Sequence, residues 1–358
     1  MRSGTANLPL HNGHAPRWLF ERMAKLSAEI ARWIVVEQGS VELFRRLSDP
    51  IWFQAFGAVI GMDWHSSGVT TVVCGALKQG LQPYQAELGL VVAGGKGRSS
   101  RQTPAELTAA GEWLGLDPAP YVKASRLTAK VDNNALQDGY QIYHHVFLLD
   151  RAGHWGVIQQ GMNDTNGYAR RYHWFSGDVR SFVDEPHTAI AAEAANQVWN
   201  LVAHESAAAR EATASLAREQ PEKVVAEIAR LRELTLPAHH DIQGADMDPK
   251  RLHRILLKTY ERQPEDFATL LEMEGVGART LRALSLVGEL VHGAPVSIKD
   301  PARFAFAHGG KDRHPYPVDR ETFDRSIQTL HTAVERAKLG QREQLDALKR
   351  LALWADSN

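Results

Sequence analysis

The 358-residue chain is 44% hydrophobic and 23% charged, which places it among folding globular proteins and excludes disordered and fibrous classes. Its 41 Lys and Arg against 42 Asp and Glu leave a formal charge of -1, so a polyanionic partner must be held by local patches, not by the field of the whole molecule. Cys74 is the single cysteine, which excludes intramolecular disulfides, four-cysteine zinc sites and cysteine-ligated iron–sulfur clusters and points to a reducing cytoplasm.

The N-terminus, MRSGTANLPLHNGH, lacks the apolar centre of a signal peptide. No run reaches the roughly 20 apolar residues of a membrane helix, so a soluble protein with no membrane partner is expected. The length favours two domains. Leu19, Met23, Leu26, Ile30 and Ile34 recur at the spacing of one helical face, and a second helix follows Ser40. In SSGVTTVVCGALKQGL, Ser66 and Ser67 can accept the free amides of a third helix. LGLVVAGGKGRSSRQTPAEL reads as a buried strand, a basic glycine loop, and a helix opened by Thr103, Pro104 and Glu106 in capping-box order.

YQIYHHVFLLDRAGHWGVIQQG reads as a β-hairpin, because β-branched and aromatic runs flank Asp150-Arg151-Ala152-Gly153. Its first strand is largely apolar on both faces and is placed inside a sheet. From about His187, alanine-rich segments predict helix nearly to the end, punctuated by TLPAHHDIQGADMDP. The expected architecture is α+β. A mixed domain with a small β-sheet and helices occupies 1–186, a helical bridge 187–247, and an all-α domain 248–358.

Within PEDFATLLEMEGVGARTLRALSLVGEL, Pro264 can open one helix, with Phe267, Leu270 and Leu271 on its apolar side. Leu281, Leu284 and Leu286 serve the helix after the turn. Gly275 and Gly277 permit close backbone approach, and the amides that open the second helix can bind an anion such as phosphate. The order hydrophobic, x, Gly-hydrophobic-Gly, two residues, Thr, apolar helix resembles the helix-hairpin-helix, a motif that grips nucleic-acid backbone without reading bases. That resemblance implies duplex DNA as partner, with Gly275, Gly277, Ala278, Arg279 and Thr280 facing phosphate. The alternative is a glycine turn that only packs. Residues 251–340 hold 14 Lys and Arg against 12 Asp and Glu, so binding by this module should be weak and salt-sensitive.

DNA glycosylases with this hairpin carry a catalytic Asp downstream, and Asp300 stands near the implied place. Arg279 occupies the position of the lysine of bifunctional members. It stays protonated and forms no Schiff base, which disfavours a lyase. Asp300 precedes Pro301, so a helix cap is the competing reading. Further on, His308, Gly309, Gly310, Lys311 and Asp312 form either a second phosphate-touching loop or a plain surface loop.

KVDNNALQDGYQIYHH places Asp132, Asp138, Gln141, His144 and His145 at or near a buried strand, where unpaired polar groups are costly. Asp132, Asp138 and His145 are candidate ligands for Mg2+ or Mn2+ that would activate water for phosphodiester cleavage. His144 and His145 point to opposite faces, and either can be a hydrogen-bonded core histidine instead. Gln159 and Gln160 stand where the common nuclease signature has Glu and Lys. Lys96, Arg98 and Arg101 either cradle phosphate or decorate a solvated loop, and Lys96 is the candidate catalytic cation. No Walker loop is present, so ATP hydrolysis is not predicted. YARRYHWF interleaves Arg170 and Arg171 with Tyr168, Tyr172, Trp174 and Phe175, which suits either nucleic-acid contact or a half-buried strand. His11 and His65 are further candidates for the same site.

MRSGTANLPLHNGHAPRWLFERM, WHSSGVTTVVCGALKQGL, KVDNNALQDGYQIYHH, GVIQQGM and HGGKDRHPYPVDR together resemble an archaeal and bacterial family numbered 763 among domains of unknown function. The resemblance implies a distinctive N-terminal domain joined to the hairpin, and no activity. Three functions follow in order: a metal-dependent, structure-selective nuclease of DNA repair or processing; a non-enzymatic DNA-binding adaptor; a monofunctional glycosylase using Asp300. RNA in place of DNA stays open, because motifs that grip backbone discriminate poorly.

Overall fold

The computed structural model describes residues 16–62, 67–192, 198–231, 249–302, 320–337 and 339–356. His11, His65 and the 308–312 loop with Lys311 lie outside the described residues. The described residues open with α1 (Arg17–Gln38), α2 (Ser40–Leu47), α3 (Pro50–Ile60) and α4 (Gly68–Leu81). Met23, Leu26, Ile30 and Ile34 of α1 are buried as one stripe, as their spacing requires. Asp49 caps α3 by accepting from the amides of Ile51 (2.9 Å) and Trp52 (3.3 Å), and Pro50 takes the first helical position.

A short α5 (Gln85–Leu88) leads into β1 (Leu90–Lys96) and then α6 (Arg98–Leu114). α6 starts five residues before the expected capping box. Gly97, at φ +60°, turns the chain straight from strand into helix, leaving Pro104 in the helix interior. Proline lacks the N–H that would bond the Ser100 carbonyl, and the Thr103 hydroxyl donates to that oxygen instead (2.8 Å).

α7 (Ala119–Lys130) runs into a wider π turn, Val131–Ala135, which brings Asp132 inside. The strands follow: β2 (Leu136–Gln137), β3 (Gln141–Asp150), β4 (Trp155–Asn163), β5 (Tyr168–Phe175), β6 (Ala189–Ala191) and β7 (Trp199–Asn200). The main sheet is antiparallel throughout, in the order β1-β3-β4-β5-β6, while β2 and β7 form a separate ribbon. The hairpin around Asp150–Gly153 forms as expected. Helix does not begin at His187: Ala189, Ile190 and Ala191 are buried as the last strand of the sheet, so tertiary pairing overrides alanine's helical preference.

Helices complete the chain: α8 (Ala207–Leu216), α9 (Pro221–Leu231), α10 (Pro249–Arg262), α11 (Phe267–Glu272), α12 (Ala278–His292), α13 (Arg320–Arg336) and α14 (Gln341–Asp356). Asp266, not Pro264, opens α11, its carboxylate accepting from the Thr269 amide at 2.7 Å. The fold is α+β, with the sheet between two helical layers. Val92, Val146, Leu148 and Ile158 face α1 to α4, and α13 and α14 return to close this core with Leu330, Leu351 and Trp354. Phe147, Leu149, Val157 and Trp174 face the other way, in one core with Leu107, Leu127, Leu252, Phe267 and Leu281 from α6, α7, α10, α11 and α12. Among the described residues no helix is long and apolar enough to cross a membrane.

Candidate functional site

The turn between α11 and α12 bends at Gly275, whose φ of +88° favours glycine. Gly277 differs. Its φ of -137° suits any residue, and among the described residues a Cβ there would meet nothing nearer than Asn134 Oδ1 at 3.8 Å. The first amides of α12, at Ala278, Arg279 and Thr280, have no acceptor within the helix. They open on a cleft of about 500 Å³ that Asn134, Gln141, Arg251, Gly275 and Gly277 also line. Lys130 reaches the turn from below, donating to the carbonyls of Met273 (2.7 Å) and Val276 (3.3 Å). Gln137 holds the Ala278 carbonyl at 2.9 Å. The turn is therefore fixed to α7 and β2 rather than carried on a separate arm.

Asp132 and His145 do meet, through Gln159. Ser125 Oγ and His145 Nε2 are 2.8 Å apart, and His145 Nδ1 and Gln159 Oε1 are 2.9 Å apart. Gln159 Nε2 then donates to Asp132 Oδ2 at 2.5 Å, and Trp174 Nε1 donates to the same oxygen at 3.0 Å. His187 Nε2 bonds the other oxygen, Oδ1. Because the Gln159 amide donates to Asp132, its carbonyl must accept from His145 Nδ1–H, leaving Nε2 to accept from Ser125. His145 is thus a neutral core histidine, and burial lowers its pKa to about 4. The donors converge on Asp132, whose pKa burial raises while His187 pulls it back.

Asp138 belongs to a different cluster. Its Oδ2 accepts from Arg170 Nη1 (2.9 Å) and the Tyr172 hydroxyl (2.7 Å), and Oδ1 accepts from the Tyr140 amide (3.1 Å). Arg170 also grips Asp300 through both terminal nitrogens, at 2.6 and 3.1 Å. Asp300 Oδ1 accepts from the Ala302 amide (2.8 Å), which accords with a local capping role. The three proposed ligands Asp132, Asp138 and His145 therefore share no centre, and donors already occupy the carboxylate oxygens that a cation would need. Among the described residues no group of three or more His, Cys, Asp or Glu side chains is arranged to hold a metal ion.

On the opposite face of the sheet, Lys96, His144, Gln160 and Arg171 stand in one row across β1, β3, β4 and β5. Gln160 donates to the Ser67 carbonyl at 2.9 Å and to the Tyr143 hydroxyl. Lys96 is exposed and lies over the Tyr143 ring, 5.9 Å from its centroid, apart from the Asp132 network on the other face. His144 is 1% exposed, and among the described residues neither ring nitrogen has a partner. Burial, with neighbouring His145 and Lys96, lowers its pKa to about 3. Arg170 and Arg171 are both 0% exposed, so the expectation that they touch nucleic acid is corrected: they are interior residues of a central strand. Arg171 packs over Phe53 and donates weakly to Gln54 and Thr70.

Sequence reasoning missed His187. It follows Pro186 in an irregular segment and lines a pocket of about 240 Å³ with Asn200, Ser297, Lys299 and Asp300. Only the chain path, which carries it against Trp174 and Asp132, identifies it. A family model described as "Protein of unknown function (DUF763)" matches residues 4–318. No curated protein and no solved structure matches the chain.

Proposed function

The chain belongs to the DUF763 family, a description that names no activity, and from that premise we propose that it binds nucleic-acid backbone at the α11–α12 turn. The turn acts as a helix-hairpin-helix, with the opening amides of α12 directed at one phosphate and Arg251 supplying charge at the rim. Gly277 carries the reading. Neither its backbone angle nor its neighbours among the described residues demand glycine, and a ligand that approaches closely gives a reason for a bare Cα. Duplex DNA is the primary partner, and RNA is the competitor to test against it.

The chemistry at this interface is binding rather than phosphodiester cleavage. A Mg2+ or Mn2+ centre would need carboxylate oxygens facing a common point, whereas Asp132 and Asp138 are turned into separate hydrogen-bond networks. Binding of nucleic-acid backbone therefore outranks its cleavage.

The test is fluorescence anisotropy with labelled duplex DNA, single-stranded DNA and duplex RNA over a range of salt, comparing wild type with Gly277→Ala and Arg251→Gln. Salt-dependent binding weakened by both substitutions supports the proposal. Equal affinity of all three proteins for every probe would overturn it.

A further inference from the structure

The pocket that contains His187 lies apart from the hairpin cleft and has its own chemistry. His187 is 7% exposed in its side chain and is wedged against Trp174, with ring centroids 4.5 Å apart. Its Nε2 bonds Asp132, which is itself fixed by Gln159 and Trp174. Both of those neighbours can only donate to Asp132 and so favour its carboxylate form; with Oδ1 then the acceptor, the proton shared with His187 sits on Nε2. Nδ1 then carries the lone pair. His187 lines the pocket, and among the described residues no protein group bonds its Nδ1.

A buried carboxylate holding one nitrogen of an imidazole, with the other nitrogen open to a pocket, is the arrangement of a general base. Asp132 sets the tautomer and stabilises the imidazolium that forms. The surrounding charges narrow the substrate. Glu185, Glu205 and Asp300 line the pocket, Lys299 is paired with Glu205 at 2.9 Å, and Arg170 is engaged by Asp138 and Asp300. Among the described residues, a phosphodiester entering there would meet three carboxylates against the single cation Lys299, itself paired with Glu205.

We propose that this pocket is a hydrolytic site in which His187 is the catalytic base and Asp132 its positioning residue, acting on an uncharged substrate with an electrophilic acyl carbon. His187 Nδ1 takes a proton from water as the water oxygen bonds to that carbon. The bond from carbon to the leaving heteroatom then breaks, and the imidazolium returns the proton to the departing atom. The inference does not rest on nucleic-acid binding by the hairpin.

Two measurements on the full-length protein test it. Long-range proton–nitrogen NMR of the wild type should show neutral His187 protonated on Nε2 with a bare Nδ1; protonation on Nδ1 overturns the proposal and needs no variant. Hydrolysis of p-nitrophenyl acetate should exceed that of bis(p-nitrophenyl) phosphate and fall at least tenfold in His187→Gln. In Asp132→Asn, loss of the carboxylate charge should move the rising limb of the pH–rate profile to lower pH and reduce its plateau. Ester turnover unchanged in His187→Gln, or faster cleavage of the phosphodiester, would remove the base from its role.

Discussion

Arg170 holds Asp300 through two hydrogen bonds, 2.6 and 3.1 Å, although 130 residues separate them along the chain. The same guanidinium pairs with Asp138, so one buried cation joins the central sheet, the segment before β3 and the segment after α12. Removing one member of such a cluster leaves the others charged in the interior. Arg170→Met should lower unfolding free energy by about 3–5 kcal/mol in urea titrations. Replacing all three residues with apolar side chains should recover most of that loss. A triple variant no more stable than Arg170→Met would mean that the cluster is not an isolated charge network.

A second expectation concerns pH. Burial lowers the pKa of His145 to about 4 and of His144 to about 3, both below the ordinary histidine value of 6.5. The unfolded chain therefore binds more protons than the folded one between these values. Their contribution to stability is full above pH 6.5 and is lost as pH falls towards 3. Each costs on the order of 1 kcal/mol per pH unit in that window. Because among the described residues neither nitrogen of His144 has a partner, His144→Met should raise stability and flatten the slope, as read by denaturant midpoints from pH 7 to pH 4. A steeper slope in the variant would contradict the assignment.

The two glycines of the α11–α12 turn should separate folding from binding. Gly275→Ala meets a φ of +88° and should cost about 1 kcal/mol of stability. Gly277→Ala should leave the melting temperature nearly unchanged while weakening duplex binding at least tenfold. Equal loss of stability in both variants would mark them as structural.

Arg251 lines the cleft from α10 and is exposed. If it neutralises one phosphate, Arg251→Gln should lower affinity for all sequences alike and reduce the slope of log affinity against log salt by about 1. An unchanged slope would place Arg251 outside the contact.

The periodic parts of this fold were legible in the sequence. The α1 stripe, the β3–β4 hairpin and the paired helices around Gly275 and Gly277 are local patterns, and each is where its spacing puts it. The failures share a cause. Ala189–Ala191 is strand because a sheet edge was waiting for it, and α6 starts early because Gly97 turns the chain before the capping box begins. The polar residues were recognised as unusual, but not sorted. Asp132 and Asp138 are six positions apart and bond to different partners, because the π turn and the ribbon between them redirect the chain. His187 had no signal, since a lone histidine after a proline resembles any loop until Asp132 is placed behind it.

Lys130 gives the hairpin a property of its own. Its ammonium rests on the Met273 and Val276 carbonyls, as a rivet would, while Gln137 ties down the first turn of α12. A strand arriving at this turn finds the amides already in place and need not order them, so little of the contact energy is spent on conformational entropy. Encounter would then be governed by diffusion and ionic strength. The bound and free turns should give nearly the same amide-exchange pattern outside the contacting residues, a signature opposite to that of a loop that folds around its ligand.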